Sequence, residues 1–341
     1  MEYLVEVSSP QSERLGKRLR ALQLKTEDFL NPLFFPAQTA EAEDAARFFF
    51  FVTGIDHRTS PAGQSFEGVI DGEYFQGADL LWHLSIRRFA QNPQHFHPQN
   101  MAKITAQQVR EWFTVNHPKQ VTIRNPAERA ALLRDCGTLL MTKYQGSVLN
   151  LLQQAHNRIS RNATGTGGLL SLLSEFKAYE DPASKKSFLL LKFLLRRGLW
   201  THDDIDAFRI PVDNHLTRIA LRTGIVVVSP KLANLLQGQS KISLKTDILL
   251  RSTIGNAYLR VGAASGRSVL ELDDFFWHFG RECCRYDAPV CVTGCEGHCF
   301  VSKNLIEPGC HNECPLGPVC LAYDDPERRR LVEPRIKTWY Y

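Results

Sequence analysis

The sequence predicts an all-α fold that ends in a cysteine-rich metal-binding segment. Apolar residues recur at helical spacing through most of the chain, and no alternating pattern is long enough to sustain a sheet. Eight of the nine cysteines lie between Cys283 and Cys320. In a reducing compartment, such crowding indicates metal ligation rather than a disulfide framework.

The composition is that of an ordinary globular protein, with 341 residues, 43% hydrophobic and 23% charged. This length allows one large domain or two lobes. A net charge of +5 suits a polyanionic partner without requiring one. The first residues lack the basic and apolar stretches of a secretory signal, and the apolar runs are too short to span a bilayer. We therefore expect a cytoplasmic monomer with no membrane segment.

Helical periodicity identifies most elements in order along the chain. The phenylalanine run 48–51 predicts a buried strand or helix end, and the stretch 64–88 predicts a turn followed by a helix. The glycines of 162–168 follow no strand, so they only weakly indicate a phosphate-binding loop. The further predicted helices are 128–142, 146–158, 169–176, 184–196, 203–208, 215–223, 245–261 and 270–283.

Residues 209–226 predict a proline-led extended segment, a capping acid at Asp213 and an amphipathic helix. The run Val-Asp-Asn-His-Leu-Thr-Arg at 212–218 resembles the Val-Asp-x-His-x-x-Arg segment of helix-hairpin-helix DNA glycosylases. The resemblance implies a two-lobed helical fold and makes Asp213 the essential acid. A carboxylate there would stabilise the positive charge that develops on the sugar as the C–N bond breaks. The alternative is that Asp213 is only an N-cap.

Two lysines, Lys185 and Lys186, open the predicted helix that follows a short turn. In bifunctional glycosylases a lysine at this place attacks the sugar C1′, and Lys185 matches slightly better than Lys186. The residues 182–184, Pro-Ala-Ser, stand where that family has its hairpin glycines, and in this respect the chain resembles the archaeal 8-oxoguanine glycosylases more. The missing glycines put in doubt the hydrogen bonds that backbone amides of the hairpin usually donate to a DNA phosphate. The alternative is that both lysines are solvated charges on a helix face.

The cysteines fall into two spacing groups. Six residues separate Cys284 from Cys291 and five separate Cys314 from Cys320, so these four thiolates can ligate a 4Fe-4S cluster. The spacing resembles the cluster loop of endonuclease III, whose two-residue middle gap is here twenty-two residues. The inserted stretch offers a second, zinc site, for which the candidate ligands are Cys295, Cys299, Cys310 and either His298 or His311. A single structural zinc site is the alternative.

A second resemblance covers 125–137, 144–147, 176–181 and 268–277, which are similar to the queuosine-nucleotide salvage glycosidases. It implies hydrolysis of a free deazapurine nucleotide, with comparable roles for Asp213 and the lysines at 185 and 186. A polar turn at Asp56 and His57 could reach the pocket, although a satisfied surface turn is the favoured interpretation.

Three functions remain open at this point. The residues around Asp213 and the cysteine loop favour a DNA glycosylase of base excision repair, with or without AP lyase activity, that removes a modified base flipped from double-stranded DNA. The first alternative is the free-nucleotide glycosidase, and the second is a non-catalytic nucleic-acid-binding iron–sulfur protein.

The expected segments are 1–124, an N-terminal cap and helical lobe; 125–282, a helical core with the catalytic Asp; and 283–341, the iron–sulfur loop and basic tail.

Overall fold

The computed structural model describes residues 3–59, 65–161, 165, 167–310 and 312–341. It divides into two compact units. The first unit combines Met1–Glu27 with Arg209–Thr338, and the second combines Asp28–Phe208 with Trp339–Tyr341. These limits differ from the segment boundaries expected from the sequence, because the first 27 residues pack with the C-terminal part of the chain.

Helices dominate both units. Across the described residues the α-helices are α1 Ser9–Arg20, α2 Ala42–Ile55, α3 Ala78–Gln91, α4 Pro98–Met101, α5 Ala106–Trp112, α6 Pro126–Lys143, α7 Val148–Gln154, α8 Leu169–Leu173, α9 Lys185–Arg196, α10 Asn214–Thr223, α11 Pro230–Gln237, α12 Leu244–Ser265, α13 Val269–Glu282, α14 Val290–Thr293 and α15 Pro326–Arg329. Single helical turns occur at Pro93–Phe96, Lys177–Tyr179, Ile205–Ala207, Val301–Leu305 and Gly317–Val319. The mainly helical prediction is confirmed.

Short strands also occur, which the all-α prediction did not include. They are β1 Val5–Val7, β2 Gln23–Leu24, β3 Glu67–Ile70, β4 Glu73–Gln76, β5 Thr114–Val115, β6 Val121–Thr122, β7 Val226–Val228 and β8 Ile306–Glu307. In the described part of the chain they form four two-stranded antiparallel pairs, β1 with β7, β2 with β8, β3 with β4 and β5 with β6. With two to four residues each, such strands are too short to produce a readable alternation in the sequence.

The first unit is built around α10, α12 and α13. The apolar residues Leu216, Ile219 and Ala220 of α10 are fully buried in its core, as expected for an amphipathic helix. Helix α1 packs against α12 at Gly16, where a Cβ atom would lie 2.5 Å from that of Ala264. Glycine therefore permits the close approach of these two helices.

The second unit is built around α2, whose four consecutive phenylalanines, 48–51, are all fully buried. The sequence left this run open between a strand and a helix end, and the structure shows a helix surrounded by other elements on every side, as an apolar helix requires. Helix α9 begins after a turn stabilised by Asp181, whose carboxylate accepts hydrogen bonds from the backbone amides of Ala183 at 3.1 Å and Lys185 at 3.0 Å. This turn fixes where the two lysines lie.

Helix lengths and composition also bear on the membrane question. None of the helices in the described residues combines the length and the apolar character needed to cross a bilayer.

Most of the glycine-rich segment 162–168, which the sequence weakly indicated as a phosphate-binding loop, lies outside the described residues. The helix-hairpin-helix arrangement itself stays a prediction.

Candidate functional site

Lys186, in the first turn of α9, is the centre of a buried polar group in the second unit. Its side chain has no exposed surface, and its amine donates a hydrogen bond to the carbonyl of Gly54 at 2.6 Å. Gly54 lies in the last turn of α2, where helical carbonyls lack an intrahelical partner. Lys185 retains only 8% of its surface. In this structure neither lysine is a solvated charge on a helix face.

His57 connects this amine to a carboxylate. The Nδ1 atom of His57 lies 3.3 Å from the Lys186 amine, and its Nε2 atom lies 3.1 Å from Oε1 of Glu128. A carboxylate can only accept, so Nε2 carries the ring hydrogen and Nδ1 accepts from the lysine. We name Lys186, His57 and Glu128 the amine chain. It runs from a fully buried amine to a carboxylate that is 29% exposed.

Burial determines the charge of the amine chain. Desolvation lowers the pKa of Lys186 well below its ordinary value, and the neighbouring Lys185 acts in the same direction. Desolvation also lowers the pKa of His57 well below its ordinary value, assisted by the positive charge of Arg129. Both groups are therefore held towards their neutral forms, and a neutral amine is the form that can act as a base or nucleophile.

Two further charged residues complete the surroundings of the amine chain. The buried Arg129 donates hydrogen bonds to the carbonyls of His57 and Arg124, and burial lowers its pKa to about 10. Asp56 is also buried and accepts a hydrogen bond from the indole of Trp82 at 3.3 Å. The favoured interpretation of Asp56 and His57 as a surface turn is therefore wrong, because both residues, which directly follow α2, are buried.

Asp213, in the first unit, is the N-cap of α10. Its Oδ1 atom accepts a hydrogen bond from the backbone amide of Leu216 at 3.0 Å, and the helix begins at the next residue, as the sequence predicts. The carboxylate is half-buried. This geometry agrees with the capping role and leaves the catalytic role of Asp213 a prediction. The lysines belong to the other compact unit.

Arg218 and His215, the other polar residues of the motif around Asp213, are engaged within the first unit. The buried Arg218 pairs with both oxygens of Glu333 at 2.6 Å and donates to the carbonyls of Cys284 and Gly280 at 2.8 Å. Burial opposes the charge on Arg218, but Glu333 and the other nearby anionic groups outweigh it and raise the Arg218 pKa. Arg218 thus fastens α10 to the cysteine-rich segment.

The four predicted cluster ligands come together in the first unit. All nine cysteines carry free thiols. The side chains of Cys284, Cys291, Cys314 and Cys320 line one cavity together with the adjacent Cys283. Burial raises the pKa of Cys320 to about 12, and the neighbouring Cys284 and Cys291 act in the same direction. The two cysteine pairs, 22 residues apart in sequence, are thus neighbours in space.

The predicted zinc ligands are not gathered in the same way. Cys295 and Cys299 accept weak hydrogen bonds from backbone amides at 3.4 Å, and His298 is exposed. Among the residues that the structure describes, no three His, Cys, Asp or Glu side chains are grouped so that they could hold a metal ion. His311 lies outside the described residues, so a zinc site that includes Cys310 and His311 stays a prediction.

Sequence reasoning missed Glu128 and Arg129. Both lie in the first turn of α6, within the stretch 125–137 that resembles the salvage glycosidases. A Glu-Arg pair at a helix start usually indicates a solvated helix end, so nothing in the local pattern predicted the contact with His57. Their position inside a stretch shared with an enzyme family was the one available signal.

Comparison with known proteins assigns the family. The family model described as queuosine salvage protein matches residues 40–253. A queuosine 5′-phosphate N-glycosylase/hydrolase of Dictyostelium discoideum is 24% identical over 173 residues, which are 47% of this chain and 50% of that protein. The chain thus spans about half the length of this curated relative.

These findings support the second resemblance and give no support to membership of the helix-hairpin-helix DNA glycosylases. The matched range contains the amine chain, Lys185 and Asp213, and it ends before the cysteine-rich segment. It covers well over half of the 341 residues. The chain therefore belongs to the queuosine salvage protein family.

Proposed function

We propose that this protein is a hydrolase that cleaves the N-glycosidic bond of queuosine 5′-phosphate or a closely related free deazapurine nucleotide. The observation that carries the proposal is the family match over 40–253, which contains every polar residue of the proposed machinery. The curated relative, which is named for this reaction, supports the substrate class. This function was the first alternative predicted from the sequence, and we now prefer it to the DNA glycosylase hypothesis.

The reaction needs an anion beside the sugar and a route for protons. Breaking the C–N bond places positive charge on the ribose, the departing base needs a proton, and the attacking water must lose one. We assign the anion to Asp213 on the strength of the motif at 212–218. Its cap bond to Leu216 occupies one carboxylate oxygen and fixes the side chain at the helix start.

We assign proton handling to the amine chain. Lys186 is held towards its neutral form by burial, and a single line of hydrogen bonds joins it through His57 to Glu128. A proton accepted at one end can therefore be balanced by one released at the partly exposed carboxylate of Glu128. Lys186 has no exposed surface, so it acts through its neighbours, whereas Lys185 retains some surface and is the lysine able to meet a ligand.

A lyase step is not part of this proposal. β-Elimination at an abasic sugar expels a group from C3′, and a free 5′-nucleotide carries only a hydroxyl there. Hydrolysis with water is sufficient to release the base. Borohydride trapping still tests the AP lyase prediction, because a Schiff base on Lys185 or Lys186 would leave a covalent protein–sugar adduct.

Substitution of Asp213 by Asn tests the proposal with the fold preserved. Asn is as good an N-cap as Asp, so Asp213→Asn keeps the bond to Leu216 and removes only the negative charge. We expect base release from queuosine 5′-phosphate to fall by at least about 100-fold, the usual effect of losing one preorganised electrostatic group. The matched control is Asp325→Asn, since Asp325 caps α15 through the amide of Arg328 at 3.1 Å.

The same assay distinguishes the rival functions. Equal activity of Asp213→Asn and the unaltered protein would remove Asp213 from the mechanism. Base release from duplex DNA without turnover of the free nucleotide, together with salt-dependent binding of the duplex, would show a DNA glycosylase instead. Binding to nucleic acid with no base release from either substrate would favour the non-catalytic alternative.

A further inference from the structure

We propose that Cys284, Cys291, Cys314 and Cys320 together bind a 4Fe-4S cluster. All four side chains line one cavity of the first unit, and all four are free thiols. The four cysteines lie beyond the range matched by the family model. The proposal does not depend on the glycosidase activity.

The ligand set of four thiols is the one that a cubane takes, with each thiolate bound to a separate iron atom at a corner of the cluster. Zinc also accepts four thiolates, but on a single atom and without sulfide, so iron and acid-labile sulfide distinguish the two. Of the nine cysteines, only the four proposed ligands and the adjacent Cys283 line this cavity.

Cys283 is distinguished from its neighbour Cys284 by its packing. It caps the C-terminus of α13, is 2% exposed and belongs to the apolar core of the unit. Cys284 is only partly buried, and its sulfur faces a guanidinium group. Cys284 is therefore the ligand from this adjacent pair, and Cys283 forms part of the apolar wall of the cavity.

The cavity has the environment that an anionic cluster requires. The buried side chain of Arg222 places its Nη1 atom 3.5 Å from the Sγ atom of Cys284, so one positive charge faces the thiolates. Its remaining hydrogen bonds go to the carbonyls of Arg285 at 2.7 Å, Tyr286 at 2.9 Å and Leu331 at 3.1 Å, which fixes the guanidinium in place. Hydrogen bonds and charges beside cluster sulfurs are what tune an iron–sulfur centre.

Apolar residues complete the wall. Phe279, Leu316 and Ala322 line the same cavity and are buried, so they limit the access of water to a bound cluster. The backbone amide of Ala322 also donates to the carbonyl of Arg222 at 3.0 Å. The thiol ligands are thereby tied to α10, and we infer that the cluster stabilises the fold of 284–320 around that helix.

Metal and sulfide analysis of the full-length protein, purified without oxygen, tests the proposal. We expect about four iron and about four acid-labile sulfide per chain, with a broad visible absorption that dithionite bleaches. Electron paramagnetic resonance of the reduced sample should show a cluster signal. One zinc per chain without sulfide would overturn the proposal, and so would a metal-free protein with all thiols titratable.

Serine variants then test the ligand assignment. Cys291→Ser and Cys320→Ser should each lose most of the iron and sulfide, whereas the matched controls Cys295→Ser and Cys136→Ser should retain both. Circular dichroism of each variant separates loss of the cluster from loss of the fold. Full iron content in a folded Cys291→Ser or Cys320→Ser would refute the assignment of that residue, and full content in both would overturn the site.

Discussion

Replacing Lys186 by methionine removes an amine that the structure holds without exposed surface. The variant Lys186→Met keeps the length and apolar stem of the side chain while deleting the titrating group. Burial lowers the pKa of Lys186 in the folded protein, with Lys185 contributing in the same direction. In the unfolded chain the same lysine has a pKa near 10.4. The two states therefore bind different numbers of protons over a range of pH below about 10.4.

The sign and size of the effect follow from proton linkage. Between the lowered pKa of the folded state and about 10.4, the unfolded chain carries one more proton at this site, so the free energy of unfolding rises with pH. The slope for one proton is about 1.4 kcal/mol per pH unit. Below the folded pKa and above 10.4 the two states bind equally, and the slope from Lys186 vanishes. Methionine contributes no such slope.

Urea denaturation at a series of neutral and alkaline pH values measures this difference. The free energy of unfolding of the unaltered protein should rise relative to that of Lys186→Met as the pH increases, because the titrations that the substitution leaves unchanged cancel in the comparison. Leu190→Met, a buried apolar change in the same helix, is the control and should give a constant difference. A constant difference for Lys186→Met as well would show that Lys186 keeps its charge when folded, which would refute the neutral amine.

Two further predictions concern stability in the first unit. Gly16→Ala should destabilise the fold, because the new Cβ atom would lie 2.5 Å from that of Ala264. Gly255→Ala, whose new Cβ atom would have its nearest neighbour at 3.9 Å, should stabilise the fold by about 0.5–1 kcal/mol. Thermal denaturation measures both effects, and equal effects would contradict the packing of α1 on α12. Arg218→Met should cost about 3–5 kcal/mol because it breaks a buried ion pair. Arg330→Met, which breaks a largely exposed pair, should cost less than about 1 kcal/mol, and similar losses for both would contradict the buried role of Arg218.

Local features of the chain were predictable from the sequence. The helix 214–223 and its cap at Asp213 follow from residues within one turn of each other, and the structure agrees. The start of α9 at Lys185 is equally local. The short spacings within each cysteine pair also predicted that Cys284 and Cys320 belong to one group, since each pair needs the other to complete four ligands.

Long-range contacts were not predictable in this way. His57 and Glu128 are 71 residues apart, and only the packing of α2 against α6 brings them together. Strand β1 pairs with β7 across more than 200 residues, with Val5 opposite Val228. A single sequence contains no signal for such contacts, because each partner alone is an ordinary charged or apolar residue.

The preference for a DNA substrate rested on a short motif. The seven residues at 212–218 and the cysteine spacing favoured DNA, whereas the similarity to salvage glycosidases was spread over several weaker stretches from 125 to 277. The family match over 40–253 contains those stretches except 268–277. The motif at 212–218 consists of a capping acid, inward-facing apolar residues and an arginine, all of which hold α10 in place. The same pattern therefore says little about which ligand the protein binds.

The central claim is that the chain releases a base from a free nucleotide. The most direct measurement is chromatography of queuosine 5′-phosphate incubated with the purified, unaltered protein, with the free base and ribose 5-phosphate quantified together. We predict that the two products form in equal amounts and at a rate proportional to protein concentration. An unchanged nucleotide under conditions where the protein is folded would contradict the claim.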